Sequence, residues 1–154
     1  MAYPIASTMD ERTYGYTTDV RYRDLDPRGH VNHVVYVSYM EQAKGAFLED
    51  VVGVTLDEVN TVVRSLDVDY ERSIESGQQV TVDLRVESVG ETSFTITYRL
   101  NADGDEVATA RTVSVLLDEE GSRVRSPSAG DGGSRSTAAA GERSYRRTRS
   151  NRRP

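Results

Sequence analysis

Two carboxylates, Asp24 and Asp26, stand one residue apart, and both histidines of the chain, His30 and His33, follow closely in the stretch Asp24-Leu25-Asp26-Pro27-Arg28-Gly29-His30-Val31-Asn32-His33. Such a density of titratable groups can hold a cation, move protons or attack an electrophile. Calcium is excluded, because an EF-hand register would put Arg28 and Val35 where oxygen ligands are required. The chain has no cysteine, which removes thiolate metal sites and a cysteine nucleophile. His30-x-x-His33 has no Glu-x-x-His partner elsewhere, so no metal is expected. There is no Gly-x-Ser-x-Gly elbow for a serine hydrolase. The remaining chemistry needs only a carboxylate and a helix start. Unpaired backbone N–H groups there, at the positive end of the dipole, can stabilise a carbonyl oxygen that becomes an oxyanion. A carboxylate just ahead can attack the carbonyl or activate water. Asp26 is the candidate base or nucleophile, and the amides near His33 are the candidate electrophilic pull. Asp-x-Asp-Pro before a helix is also ordinary turn and cap vocabulary, so residue chemistry alone leaves capping and catalysis both open.

The elements around this loop are readable from periodicity. Tyr14 to Arg23 is rich in β-branched and aromatic residues and reads as a strand. Tyr36, Met40, Ala43, Phe47 and Val51 recur at helical spacing, with Val35, Val37 and Leu48 widening the face, so a largely buried helix follows the loop. Asn32 is its expected N-cap and Gly53 its stop. Pro27 and Gly29 suit the sharp turn between strand and helix. Residues 61–74, 79–89, 93–101 and 107–118 then read as strands joined by tight turns, one of them at Asp103-Gly104. The pattern predicts an α+β domain with an antiparallel sheet of about five strands and one long helix on its face.

Length and charge bound the rest. The 154 residues suit one domain with one core. No apolar run is long enough to span a membrane, and the first residues do not read as a secretory signal, so a cytoplasmic protein is the expectation. Met1 to Glu120 carry 23 acids against 10 basic residues, a net of −13, whereas Gly121 to Pro154 carry 2 acids against 9 arginines, a net of +7, which together give −6. Lys44 is the only lysine. An acidic surface nearly free of lysine resembles that of halophilic proteins, in which high salt screens self-repulsion. Residues 121–154 lack periodicity and apolar side chains and read as a disordered Arg/Ser/Gly-rich tail after a domain over 1–120. A flexible appendage or a shifted reading frame in a GC-rich gene accounts for that composition better than nucleic-acid binding does.

The stretch from Val20 to Lys44 resembles the opening signature of hot-dog-fold acyl-CoA thioesterases, the 4-hydroxybenzoyl-CoA thioesterase and YbgC-like family. The matching residues are Asp24, Asp26, Gly29, His30, Val31, Asn32, Tyr36, Glu41 and Ala43. Lys44 stands where the family has Arg, and His33 where many members have Asn. The resemblance runs from about Tyr14 to Leu117. It implies a long central helix wrapped by a curved antiparallel sheet, with protomers pairing into a homodimer or homotetramer and active sites between them. It also implies hydrolysis of an acyl-CoA without metal or organic cofactor. Asp26 takes the catalytic carboxylate position and the His33 backbone N–H the carbonyl-holding position. Glu41 is the reserve carboxylate, because a second branch carries it on the helix. Gly29, His30, Asn32 and Tyr36 are expected around the substrate. His30 is read as a positioning residue, Asn32 as a cap, and Tyr36 as a core residue or pocket wall. Arg64, with Arg72, Arg99 and Arg111, is a candidate for the CoA phosphates across a dimer, each against the alternative of a solvated strand-face charge. The rival function is a non-catalytic acyl-binding or scaffold protein on the same fold.

Overall fold

Alternation and turn chemistry produce one antiparallel sheet whose strands are ordered β1-β3-β4-β5-β2. The computed structural model describes residues 13–124. The strands are β1 (Tyr14–Asp19), β2 (Thr61–Tyr70), β3 (Gln79–Val89), β4 (Ser93–Ala102) and β5 (Asp105–Leu116), and the long helix is α1 (His33–Phe47). β3, β4 and β5 form a meander. The β4–β5 connection is the expected Asp-Gly turn, with Asp103 at φ 50° and Gly104 at φ 92°, the positive angles a two-residue hairpin needs. α1 lies against one sheet face. Tyr36, Tyr39, Met40 and Ala43 of the helix are buried in one cluster with Val80, Val82, Leu84, Ile96, Leu100 and Ala108 of the sheet. Helix and sheet are thus arranged as the hot-dog resemblance implies.

Three local features depart from the periodicity. The first strand ends at Asp19, and Tyr22–Asp24 forms a 3-10 turn instead of continuing it. The Asp24 carboxylate accepts the Arg21 N–H at 2.9 Å, which rewards the turn over the ladder. The buried helix face follows Tyr36, Met40 and Ala43 but then shifts by one residue. Leu48 and Val52 are buried while Val51 is 38% exposed, because Leu48–Val52 winds as a π-helical turn with more residues per revolution. Gly53, at φ 78°, closes it as expected. Finally, Gly121–Val124 is not detached from the domain: Leu117 pairs with Arg123, and the Val124 N–H reaches the Leu116 carbonyl at 3.0 Å. The remainder of the expected tail, 125–154, lies outside the described residues.

The two edges of the sheet differ. β1 is flanked by the helix end, where the Tyr14 ring meets Phe47 edge-to-face at 5.7 Å. β2 leaves Val62 (48%), Val63 (50%), Leu66 (39%) and Tyr70 (47%) exposed. Among the described residues no helix is long and apolar enough to cross a membrane.

Candidate active site at the helix start

The loop between β1 and α1 is a small closed hairpin. Leu25 pairs with Val31, the Asp26 N–H donates to the His30 carbonyl at 2.7 Å, and the Gly29 N–H returns to the Asp26 carbonyl at 3.0 Å. Pro27 fits the first central position of that turn, and Gly29 takes φ 83°, a conformation that disfavours side chains. The hairpin is fixed from outside by the Val31 N–H donating to the Ile74 carbonyl at 2.8 Å.

The two aspartates have separate surroundings. Asp24 is buried and accepts the Tyr39 hydroxyl at 2.9 Å in addition to the Arg21 N–H. Its carbonyl also accepts the Asn32 N–H at 2.8 Å, which bonds the 3-10 turn to the helix start. Burial, and then the Asp24 carboxylate, push the Tyr39 phenol well above its usual pKa, so it stays protonated and donates. Asp26 is half-buried. Its Oδ1 accepts the Arg28 N–H at 2.8 Å and the His30 N–H at 3.3 Å. Among the described residues its Oδ2 faces only the Arg28 Nε, at 3.8 Å. Desolvation pushes this carboxyl up, but the two amides and the Arg28 guanidinium outweigh it and hold it below the usual carboxylate range.

At the helix start, Asn32 is the N-cap, its side chain accepting the Val34 N–H at 3.1 Å. The His33 N–H meets no acceptor among the described residues. The His33 carbonyl accepts the Tyr70 hydroxyl at 3.0 Å, and the His33 and Tyr36 rings both pack edge-to-face on Tyr70. The fold therefore brings Asp26, Gly29, His30, Asn32 and His33 together. His30 contributes its main chain, which orients the Asp26 carboxylate. Tyr36 is 3% exposed, and its hydroxyl donates to the Arg72 carbonyl and accepts the Ile74 N–H, both at 3.0 Å. It supports the strap that holds the loop.

Glu41 and Arg64 lie apart from this group. Glu41 is eight residues along α1, about 12 Å from the helix start, and its carboxylate is held at 2.8 Å by Lys44, whose side chain is only 7% exposed. Arg64 sits where the β2–β5 register shifts, six residues along the edge strand from Tyr70, about 20 Å away. Tyr39 and Tyr70 are site-supporting residues that the sequence reading missed. Tyr39 carries only the signal of an aromatic one turn from Tyr36, and Tyr70 only that of the last residue in an alternating strand. Among the described residues no three His, Asp or Glu side chains cluster to hold a metal.

Residues 20–136 match the thioesterase-like superfamily. The chain belongs to that superfamily. A thioesterase from Thermus thermophilus, solved with coenzyme A and Zn, is 36% identical, with a TM-score of 0.69 over 74% of this chain and 85% of its own. A 1,4-dihydroxy-2-naphthoyl-CoA hydrolase from Synechococcus elongatus is 26% identical over 121 residues, 74% of this chain and 88% of that one. A 1,4-dihydroxy-2-naphthoyl-CoA thioesterase from Synechocystis, 18% identical, shares the fold at a TM-score of 0.69 over 75% of this chain and 90% of its own. The thioesterase class read from the loop is the class of these relatives, so this superfamily member is an enzyme of thioester hydrolysis.

Proposed function

We propose that the protein hydrolyses an acyl-CoA thioester to the free acid and CoA, with Asp26 as the catalytic carboxylate, in the loop-carboxylate branch typified by 4-hydroxybenzoyl-CoA and YbgC-like thioesterases. The observation that carries this reading is the division of labour within one side chain. Asp26 Oδ1 is anchored by two amides, whereas Oδ2 has no main-chain partner and lies on the loop that leads into the unpaired His33 N–H. Oδ2 attacks the thioester carbon, the carbonyl oxygen becomes an oxyanion on the His33 N–H, and the carbon–sulfur bond breaks to release CoA thiolate. Water then cleaves the acyl–Asp26 anhydride, returning the carboxylate and the free acid. The lowered pKa of Asp26 keeps its carboxylate ionised, as direct attack requires. Two readouts separate the routes: turnover in ¹⁸O-water labels Asp26 where water opens the anhydride at Asp26 Cγ, and hydroxylamine traps the acyl–Asp26 anhydride where water opens it at the acyl carbon, whereas base catalysis labels the product alone and traps nothing.

The exposed apolar edge of β2 supports an assembly in which the β2 strands of two copies pair and the substrate lies between protomers. Light scattering in molar salt should give a dimer or larger; a stable, active monomer would contradict this part. The reaction itself is tested by thiol release from a panel of acyl-CoAs, with 1,4-dihydroxy-2-naphthoyl-CoA placed first because a relative is named for it. Tight binding of acyl-CoAs with no thiol release from any would replace the hydrolase with the acyl-binding scaffold.

A further inference from the structure

Most cations on the sheet are already neutralised. Arg99 pairs with Glu106 at 3.0 Å and Arg111 with Glu87 at 2.7 Å, while Arg72, just past β2, faces Asp105 at 3.7 Å, about as long a contact as that of Arg28 with Asp26 at 3.8 Å. Arg85 lines a hollow on the outer sheet face together with Asp67, Asp69 and Asp83. None of these leaves a concentrated positive charge for a phosphorylated ligand. The exception is the entry to the catalytic loop, where three of the ten basic residues of the first 120, Arg21, Arg23 and Arg28, fall within eight positions of an otherwise acidic body.

The same turn exposes Tyr22. It is 93% exposed, far more than any other large apolar side chain among the described residues. Burying an aromatic ring is strongly favoured where a partner exists, and the fold instead fixes this one outward on a short turn. Arg23 beside it has no carboxylate within ion-pair distance among the described residues. The Arg28 side chain is 86% exposed, and its contact with Asp26 is long, at 3.8 Å. The turn is not a loose appendage, because its last residue, Asp24, is bonded through its carbonyl to the Asn32 N–H at 2.8 Å. Two residues of backbone, about 7 Å at most, separate Tyr22 from that bond, so it is held beside the helix start.

We infer that Tyr22, Arg23 and Arg28 form the docking site for the phosphorylated adenosine end of CoA, with Tyr22 stacking on the base and the two guanidiniums meeting phosphates. The inference rests on the thioester reading only for the identity of the ligand. An exposed aromatic ring with one arginine next to it in the chain and another six residues on suits a purine carrying phosphates better than it suits an acyl chain. Such a site also gives the enzyme a preference for CoA over carriers that present pantetheine without the nucleotide.

The test has two arms at low salt, where exposed charges are least screened. The first is calorimetric binding of adenosine 3′,5′-bisphosphate to the full chain, to Tyr22→Ala and to Arg23→Gln, with circular dichroism confirming folding. The second compares kcat/KM for an acyl-CoA with that for the acyl-pantetheine of the same acyl group. Each variant should weaken bisphosphate binding about five- to tenfold and shrink the acyl-CoA advantage to a similar degree, mainly through KM. Unchanged affinity together with an unchanged advantage would overturn the site. Hydrolysis that never distinguishes acyl-CoA from acyl-pantetheine would sink the nucleotide site and leave the proposed reaction standing. Bisphosphate binding lost on Tyr22→Ala, in a protein that hydrolyses no thioester, would sink the reaction and leave the site.

Discussion

The loop between β1 and α1 has an inner end and an outer end, and the two aspartates sit one at each. At the inner end, the Asp24 carboxylate is buried, and its Oδ2 accepts both the Arg21 amide and the Tyr39 hydroxyl. At the outer end, the Asp26 carboxylate is only half-buried, with Oδ1 on two amides and Oδ2 facing the exposed Arg28 guanidinium at 3.8 Å. The same side chain is a structural tie at one position and, in the proposed reaction, the reactive group at the next but one. Alternation alone would put residues two apart on one side; the 3-10 turn that ends at Asp24 breaks it and leaves Asp24 buried while Asp26 lies on the hairpin beyond Leu25. Stability and activity should therefore respond to the two positions in opposite ways.

The largest expected effect is on activity at the outer end. Asp26→Asn should lower kcat by about 10²–10⁴-fold while the unfolding midpoint stays nearly unchanged, because the amide oxygen can still accept the Arg28 and His30 N–H groups. The inner end should show the reverse. Asp24→Asn should cost about 1–2 kcal/mol in denaturant unfolding, because the amide oxygen can still accept both bonds but each loses its charged acceptor in a buried place, while the folded fraction keeps most of its turnover. Tyr39→Phe should cost about 1–2 kcal/mol, since it removes one hydrogen bond to a charged group and leaves the other. Asn32→Ala should cost about 1 kcal/mol through loss of the N-cap.

Acidity sharpens the same contrast. The Asp26 carboxyl is held below the usual carboxylate range, so it remains ionised as pH falls to the ordinary aspartate value. The stability linked to that lowered pKa is present above the unfolded value and disappears as pH drops through the folded one. The acid limb of kcat/KM should accordingly lie below that of an ordinary aspartate. A limb near neutrality would assign the chemistry to an imidazole.

The loop and the helix start were legible in the sequence because their signals are local. Pro27 and Gly29 specify the turn, Asn32 the cap, and Asp103-Gly104 the distant hairpin, each through its own backbone preference. Asp24 and Asp26 could not be told apart in depth by local rules, because the tie to Tyr39 crosses 15 residues of chain. The π-helical turn after Phe47 was equally hidden. Its residues scan as ordinary helix, and only packing of Leu48 and Val52 into the core rotates Val51 outward. The sites of Arg72, Arg99 and Arg111 were read as strand positions, but their carboxylate partners depend on sheet order, which alternation alone does not reveal.

The central claim is that the reactive carboxylate sits on the loop and not on the helix. Its most direct test is acyl-CoA turnover by folded Asp26→Asn and Glu41→Gln measured side by side. Glu41 is already held by Lys44 at 2.8 Å, so Glu41→Gln should lose less than about tenfold while Asp26→Asn loses at least about a hundredfold. Full activity in Asp26→Asn beside an inactive Glu41→Gln would contradict the account and move the chemistry onto the helix.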